Sequence, residues 1–223
     1  MFQLVADYWV SFATFALFGV LHSVAAQDGF KHWLSRRLGH FFVARFWRLI
    51  YCVASYVALY EVISVYHWDH HPDANLWLFD YPEWLWRVLL IVHLGSILMV
   101  YAAFLQSDYL EFWGLKQAWR GIVSLCGWRV AAAPPALFGS DRLEVLGVYR
   151  YTRHPMLVGG FLFLLSGGPS QNNLMFLLLY SLYMVIGGYY EERRLVRVFG
   201  DQYRRYRRRV SAFISLPYPR PAD

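Results

Sequence analysis

The stretch Gly147–Val210 opens GVYRYTRHPMLVGG (147–160), breaks its apolar run at GGPSQNN (167–173) and closes with YYEERRLVRVFGDQYRRYRRRV (189–210). Pro155 follows Arg153-His154, and proline at a helix's first turn is well tolerated because that N–H has no partner anyway. The pattern therefore predicts a helix that starts beside His154, an apolar hairpin turning at 167–173, and a return helix. Such a start presents unpaired N–H groups that attract a carboxylate or phosphate, and Arg153 strengthens the attraction. An interfacial arginine anchor with a capping histidine is the simpler alternative. Glu191-Glu192 ends the return span, where carboxylates are costly unless solvated or paired. Arg193 and Arg194 are the simplest partners. Negative charge at a helix C-terminus is unfavourable, so the helix is expected to continue past the two glutamates. On it they point about 100° apart, given about 3.6 residues per turn. Further on, Tyr203 and Tyr206 share a helix face at i, i+3, and an amphipathic helix lying on an anionic leaflet accounts for most of the arginines around them.

Outward from this stretch, the 223-residue chain is 58% hydrophobic, 20% aromatic and 16% charged, with ten Trp and a mean hydropathy of +0.31. A soluble domain carries about 25% charged residues, so the composition points to an integral membrane protein with interfacial aromatics. Apolar spans fall at about residues 4–26, 49–66 and 85–105, then at Pro155 to the 167–169 break, and at about 173–190. Roughly 20 residues cross the hydrocarbon core, so the last two are short. The segment 27–48 is basic and has apolar residues near helical spacing, the loop 67–83 is acidic, and the stretches 106–153 and 191–210 are basic. Under the positive-inside rule this alternation gives five spans, with the N-terminus outside and the C-terminus cytoplasmic. Arg153-His154 and Glu191-Glu192 then meet at one cytoplasmic mouth. The fold expected is an all-α integral membrane protein forming one domain, with three spans in 1–106, a cytoplasmic connection at 107–153, and the hairpin plus amphipathic helix at 154–216.

The net charge of +6 rests on 19 Arg and two Lys. These cluster beside apolar spans, and no nucleic-acid-reading motif accompanies them, so no nucleic-acid partner is expected. Cys52 and Cys126 are far apart, without metal spacing. His67, Asp69, His70 and His71 crowd the acidic loop without a distant partner, and no metal is expected there. His22 and His93 lie within or at the ends of spans, where ionisable groups are functional candidates.

Taken jointly, Arg-His-Pro, Gly159, the apolar hairpin, Glu-Glu, Phe199-Gly200 and the tyrosine pair resemble the membrane-embedded methyltransferases typified by isoprenylcysteine carboxyl methyltransferase and the phospholipid N-methyltransferases. The resemblance covers the last third of the chain. Leu157 departs from it, standing where those families have Tyr. LHSVAAQDGFKHWL (21–34) and FWGLKQAW (112–119) are similar to the bacterial methanethiol S-methyltransferase family, with Trp113 in place of Phe and Lys116 in place of Arg. A more distant similarity runs to membrane proteins linked to nitric-oxide reductase maturation and to carotenoid isomerases, but the Glu-Glu and Tyr-Tyr tail favours the methyltransferases.

The resemblance implies S-adenosylmethionine as cofactor and a methyl acceptor that is a small thiol such as methanethiol. The alternatives are a lipidic acceptor (a prenylcysteine carboxylate or phospholipid amine) or a heme-binding, isomerase-like protein without methyl transfer. It implies His154 and Glu192 as catalytic. Tyr149, Arg153, His154, Gly159, Glu191, Glu192, Tyr203 and Tyr206 are implied as cofactor-binding. Membrane lipids are the expected surroundings, no obligate protein partner is expected, and the implied location is a bacterial inner membrane with the site facing the cytoplasm.

Overall fold

The structure is a computed structural model that describes residues 2–68, 78–128 and 143–213, with side chains from 8–64, 78–128 and 143–213. The His67–His71 group and the Pro134-Pro135-Gly139 connection lie outside the described side chains. The described residues are almost wholly helical, and four helices are long and apolar enough to cross a membrane. The chain divides into two compact units, Met1–Pro72 with Asp108–Arg142, and Asp73–Ser107 with Leu143–Asp223.

In the first unit, α1 (Phe2–Ala26) packs on α3 (Arg48–Trp68), and α2 (Asp28–Leu38) lies between them in sequence. The chain enters α3 through a short turn, His40–Phe42, and a π-helical turn, Val43–Trp47. Most large apolar side chains of α1 and α3 point outward: Leu17, Val20, Leu21, Val53, Val57 and Ile63 are exposed. In a membrane span these face lipid, and the polar groups turn inward. His22 bonds the Tyr51 hydroxyl at 2.8 Å and Ser55 Oγ at 3.0 Å. The 112–119 segment forms a capped turn and a helix. Asp108 caps Tyr109–Phe112 by accepting from Glu111 N and pairs with Lys116. Arg48 Nε donates to Phe112 O at 2.8 Å, and Trp113 stacks on Tyr56 at 4.8 Å. From there α5 (Leu115–Leu125) packs Ala118 and Gly121 inward and leaves Leu115, Trp119, Ile122 and Leu125 exposed. That exposure is the amphipathic pattern of a helix lying in a membrane interface.

In the second unit, α4 (Glu83–Gln106) runs antiparallel to α6 (Pro155–Leu165), which turns back into α7 (Gln171–Arg209). The α4–α6 contact is built from small residues, as is usual where the surrounding solvent is as apolar as leucine. On α4 the buried residues are Ser96 and Ala103. Opposite them Gly159 fits so closely that a Cβ there would come within 2.5 Å of Val100 Cγ2 and 3.2 Å of Ser96 O. His93 bonds Ser166 Oγ at 3.1 Å and packs on Phe163. Beyond α6 the extended residues carry the hairpin onward until Leu78 N donates to Pro169 O at 3.1 Å. Ser170 caps α7, accepting from Asn173 N, and Asn173 Nδ2 closes the turn on Leu164 O at 2.8 Å. Leu157, the position that departs from the family pattern, faces Gly188 of α7.

As expected from the sequence, α7 does not stop at the glutamates. From Gln171 to its break at Gly200 it runs 29 residues, about 44 Å at about 1.5 Å per residue, well beyond the hydrocarbon thickness of about 30 Å. The apolar part at about 173–190 suffices to cross, so Glu191 and everything after it lie beyond the span. The helix breaks once, at Gly200 (φ 53°, ψ −126°), a backbone conformation essentially confined to glycine. The break redirects 201–209, so that Tyr203, Tyr206 and Val210 pack as a small core with Leu143, Val145, Leu195, Val196 and Phe199. The arginines of that segment stay outside: Arg204, Arg205, Arg207, Arg208 and Arg209 are exposed.

Candidate functional site

The mouth of the α6–α7 hairpin brings most of the sequence-predicted residues together around one carboxylate. Glu192 Oε1 accepts from Arg153 Nε at 2.8 Å and from the Tyr203 hydroxyl at 2.7 Å, and lies 3.0 Å from His154 Nε2. Its other oxygen is 3.7 Å from Arg207 Nη1. Its side chain is only 14% exposed and that of Arg153 only 10%. His154 is 4% exposed and Tyr203 is fully buried. Glu192 is therefore a largely buried carboxylate with its charge matched and one oxygen fully engaged, the condition under which such a group is tolerated.

Glu191 behaves differently, as two residues 100° apart on a helix should. Its Oε2 sits 3.1 Å from His154 Nδ1, but the side chain is 51% exposed. His154 thus bridges the two glutamates, one through each ring nitrogen. Burial pulls the imidazole pKa down, but the Glu191 and then the Glu192 carboxylate outweigh it, so it stands above the ordinary 6.5. Burial pushes the Glu192 carboxyl up, and the Tyr203 hydroxyl, Arg153 and His154 outweigh that in turn, holding it below the ordinary carboxylate range. The same burial and the same carboxylate push the Tyr203 hydroxyl far above its ordinary value, fixing it as a donor.

Backbone contacts lock the loop that carries Arg153 and His154. Arg153 Nη1 donates to Val210 O at 2.7 Å and Arg207 O at 3.0 Å, and Arg153 N donates to Ser211 O. Arginine's forked donors suit this multiple capture of a helix end. Tyr206 donates to Tyr149 O at 2.6 Å, and the Tyr149 hydroxyl lies 3.2 Å from Ser107 Oγ. Tyr149 and Tyr206 therefore brace the loop from below.

Of the eight residues the resemblance implied, Arg153, His154, Glu191, Glu192 and Tyr203 form the cluster. Tyr149 and Tyr206 join it through one backbone bond. Gly159 stands apart, against α4, where its lack of a side chain serves helix packing.

Three contributors were not foreseen. Thr152 is buried, donates to Ala212 O at 2.8 Å, and accepts from His154 N at 3.2 Å. A Thr two residues before a helix start is a known backbone-capturing signal, so this one was readable. Gln106, whose side chain accepts from Val148 N, and Ser107 come from the end of α4. Nothing local to those residues announces a partner 42 positions away.

Among the described residues no group of three or more His, Cys, Asp or Glu could hold a metal ion. His22 and His93 are engaged by hydroxyls in separate units.

Residues 11–214 match the NnrU protein family. A methanethiol S-methyltransferase of Pseudomonas deceptionensis is 32% identical over 203 residues, covering 89% of this chain and 69% of that protein. Methanethiol S-methyltransferase 1 of Bradyrhizobium diazoefficiens is 28% identical over 89% of this chain, which spans 64% of that relative's length. Nurim of Rattus norvegicus is 30% identical over 75% of this chain and 60% of its own. No solved structure matches. Matched across most of its length, with the Arg-His-Pro and Glu-Glu motifs folded onto each other, the chain belongs to the NnrU protein family, within the superfamily of membrane-embedded methyltransferases.

Proposed function

We propose that the protein is an integral membrane methyltransferase that uses S-adenosylmethionine to methylate a small thiol such as methanethiol. The observation that carries this reading is the asymmetry of the glutamate pair. Glu192 is spent inside the protein, while Glu191 offers a half-exposed carboxylate beside the start of α6. His154 supplies no side-chain cap there and Pro155 has no N–H, so the next N–H groups of that first turn have no partner within the helix.

A zwitterionic amino-acid ligand needs both features, a carboxylate for its ammonium and unpaired N–H groups for its carboxylate. The residues therefore fit the cofactor. We assign Glu191 and the first turn of α6 to its amino-acid end and the Tyr149 ring to its adenine. Arg153, His154, Glu192, Tyr203 and Tyr206 become the frame that holds Glu191 in place. When bound, S-adenosylmethionine supplies a methyl group on a sulfonium, which a thiolate takes without metal assistance. The protein's part is to orient the reactants and exclude water. His154, set between the two carboxylates, holds Glu191 in its place beside the helix start.

Topology supports a cytoplasmic site. His154 touches Glu192, so both mouths of the hairpin lie at one membrane face. The hairpin turn then sits as deep as the 18-residue apolar part of α7 reaches, about 27 Å at about 1.5 Å per residue. We infer five crossings, with α6 and the extended 167–170 segment together making the fourth. The N-terminus is then outside and the basic C-terminal helix on the cytoplasmic face of an inner membrane.

A second reading, a heme-binding membrane protein, draws on the histidines inside spans, His22 and His93. Their hydroxyl partners favour the first. The test is to supply membranes containing the protein with methyl-labelled S-adenosylmethionine and methanethiol and to assay the headspace. Labelled dimethyl sulfide is the expected product. Label appearing only in lipid would move the acceptor to the lipidic class. No transfer at all, together with a Soret band in the purified protein, would replace the reading by the second.

A further inference from the structure

The first unit holds a charge that nothing among the described residues neutralises. Arg45 lies in the π-helical turn Val43–Trp47 and is 9% exposed, as buried as the side chains of the core. Among the described residues its guanidinium has no hydrogen bond and no ion pair. The carboxylates whose side chains are described in this unit are committed or distant. Asp28 pairs with Lys31, Asp108 with Lys116, and Glu111 with the Gln117 amide. Glu61 lies sixteen positions along α3, about 24 Å away at about 1.5 Å per residue. The same turn carries a second orphan donor, the Trp47 indole N–H, which is buried without an acceptor.

The Arg45 stem packs closely against α5. Gly121 of α5 approaches so closely that a Cβ there would come within 2.9 Å of Arg45 Cβ and 2.8 Å of the Phe46 ring. A π turn inside a helix is itself a rare geometry, found frequently at functional sites. An arginine cannot shed its charge by deprotonation, and an unpaired buried charge is strongly unfavourable unless something matches it. The missing element is an oxyanion.

We propose that Arg45, at the head of α3, is the base of an oxyanion-binding site that takes a phosphate or carboxylate group. The guanidinium fork matches either group in bidentate fashion. Two sources carry the same chemistry, the headgroup of an anionic phospholipid and a soluble anion. The site shares no residue with the hairpin mouth, so its occupancy does not rest on the methyltransferase reading.

The experiment uses the full chain in nanodiscs of pure phosphatidylcholine, with the thermal unfolding midpoint as readout. One arm replaces part of the lipid with phosphatidylglycerol, and the other adds inorganic phosphate. The expected result is a rise in midpoint in at least one arm. A rise with phosphatidylglycerol alone assigns the site to a headgroup, and a rise with phosphate to a soluble anion. Arg45→Met should weaken the apparent affinity by at least about tenfold, whereas Arg37→Met on the exposed end of α2 should leave it intact. In pure phosphatidylcholine, Arg45→Met should be as stable as wild type or more so, because it removes an unmatched charge. A merely structural arginine gives the opposite, a variant that loses stability there. That loss, an unshifted wild type in both arms, or a full response retained in Arg45→Met would each overturn the proposal.

Discussion

The two glutamates at the hairpin mouth are neighbours in sequence and opposites in environment, which gives their conservative substitutions different signatures. Glu192→Gln leaves Arg153 and His154 buried without their carboxylate. Breaking one partner of a buried pair costs about 3–5 kcal/mol, so a large fall in unfolding midpoint should accompany loss of methyl transfer. Glu191→Gln changes a half-exposed group whose structural contact is with His154 Nδ1. It should lower the melt far less than Glu192→Gln does, while its methyl-transfer rate collapses. Equal stability loss in both variants would remove the division of labour. The pH dependence follows from the same cluster. The folded pKa of His154 is raised, so its contribution is complete below 6.5 and is lost as pH rises through the higher folded value. That of Glu192 is lowered, so its contribution is complete above 4.5 and is lost as pH falls through the lower folded value. Midpoints measured against pH should therefore plateau between about 4.5 and 6.5 and fall on both sides. His154→Gln should flatten the alkaline limb, and an unchanged alkaline limb would contradict the bridge. Sequence spacing already placed Arg153, His154 and the glutamates at one mouth. It could not say which glutamate turns inward, because a 100° separation fixes their difference and not their absolute direction.

At the scale of elements, the break at Gly200 decides whether the tyrosine pair reaches the cluster. A straight α7 would carry Tyr203 and Tyr206 away along the helix axis. The break lets Tyr203 return to Glu192, eleven residues earlier. An Ala at this φ and ψ is strained by roughly 1–3 kcal/mol. Gly200→Ala should lower the melting midpoint accordingly, and it should cost more activity than Tyr203→Phe, which deletes a single hydroxyl. A Gly200→Ala protein with wild-type turnover would show that the kink serves packing alone. The phenylalanine-glycine step was visible in the sequence, but its meaning was not. A lone glycine within a helical pattern is ordinarily tolerated as a helix residue at a cost near 1 kcal/mol. The partition of spans was also hidden. The third span packs on the hairpin through Ser96, Ala103 and Gly159, small residues whose value appears only once two helices are laid together.

At the scale of the molecule, hydropathy and charge disagree about the number of crossings, and the five proposed above follow the charge. Four helices pass a length test, and α6, with eleven residues, fails it. Counting only those four would put Arg204, beyond the end of the α7 span, on the opposite face from Cys126 at the end of α5. Five crossings put both on the cytoplasmic face, in agreement with the basic character of both segments. The contact between His154 and Glu192 argues for five, since it returns α7 to the face at which α6 begins. The bond from Leu78 to Pro169 argues the same from the other end, because it joins the turn to the segment preceding α4. Arg204 and Cys126 are exposed, and Cys126 is a native reporter. In a Cys52→Ser background, an impermeant maleimide should label Cys126 in inside-out vesicles and not in intact cells. Arg204→Cys, made with Cys126→Ser, should give the same pattern. Labelling of the two positions from opposite sides would reduce the crossings to four, place the hairpin mouth at the outer face, and separate the site from the compartment in which S-adenosylmethionine is made.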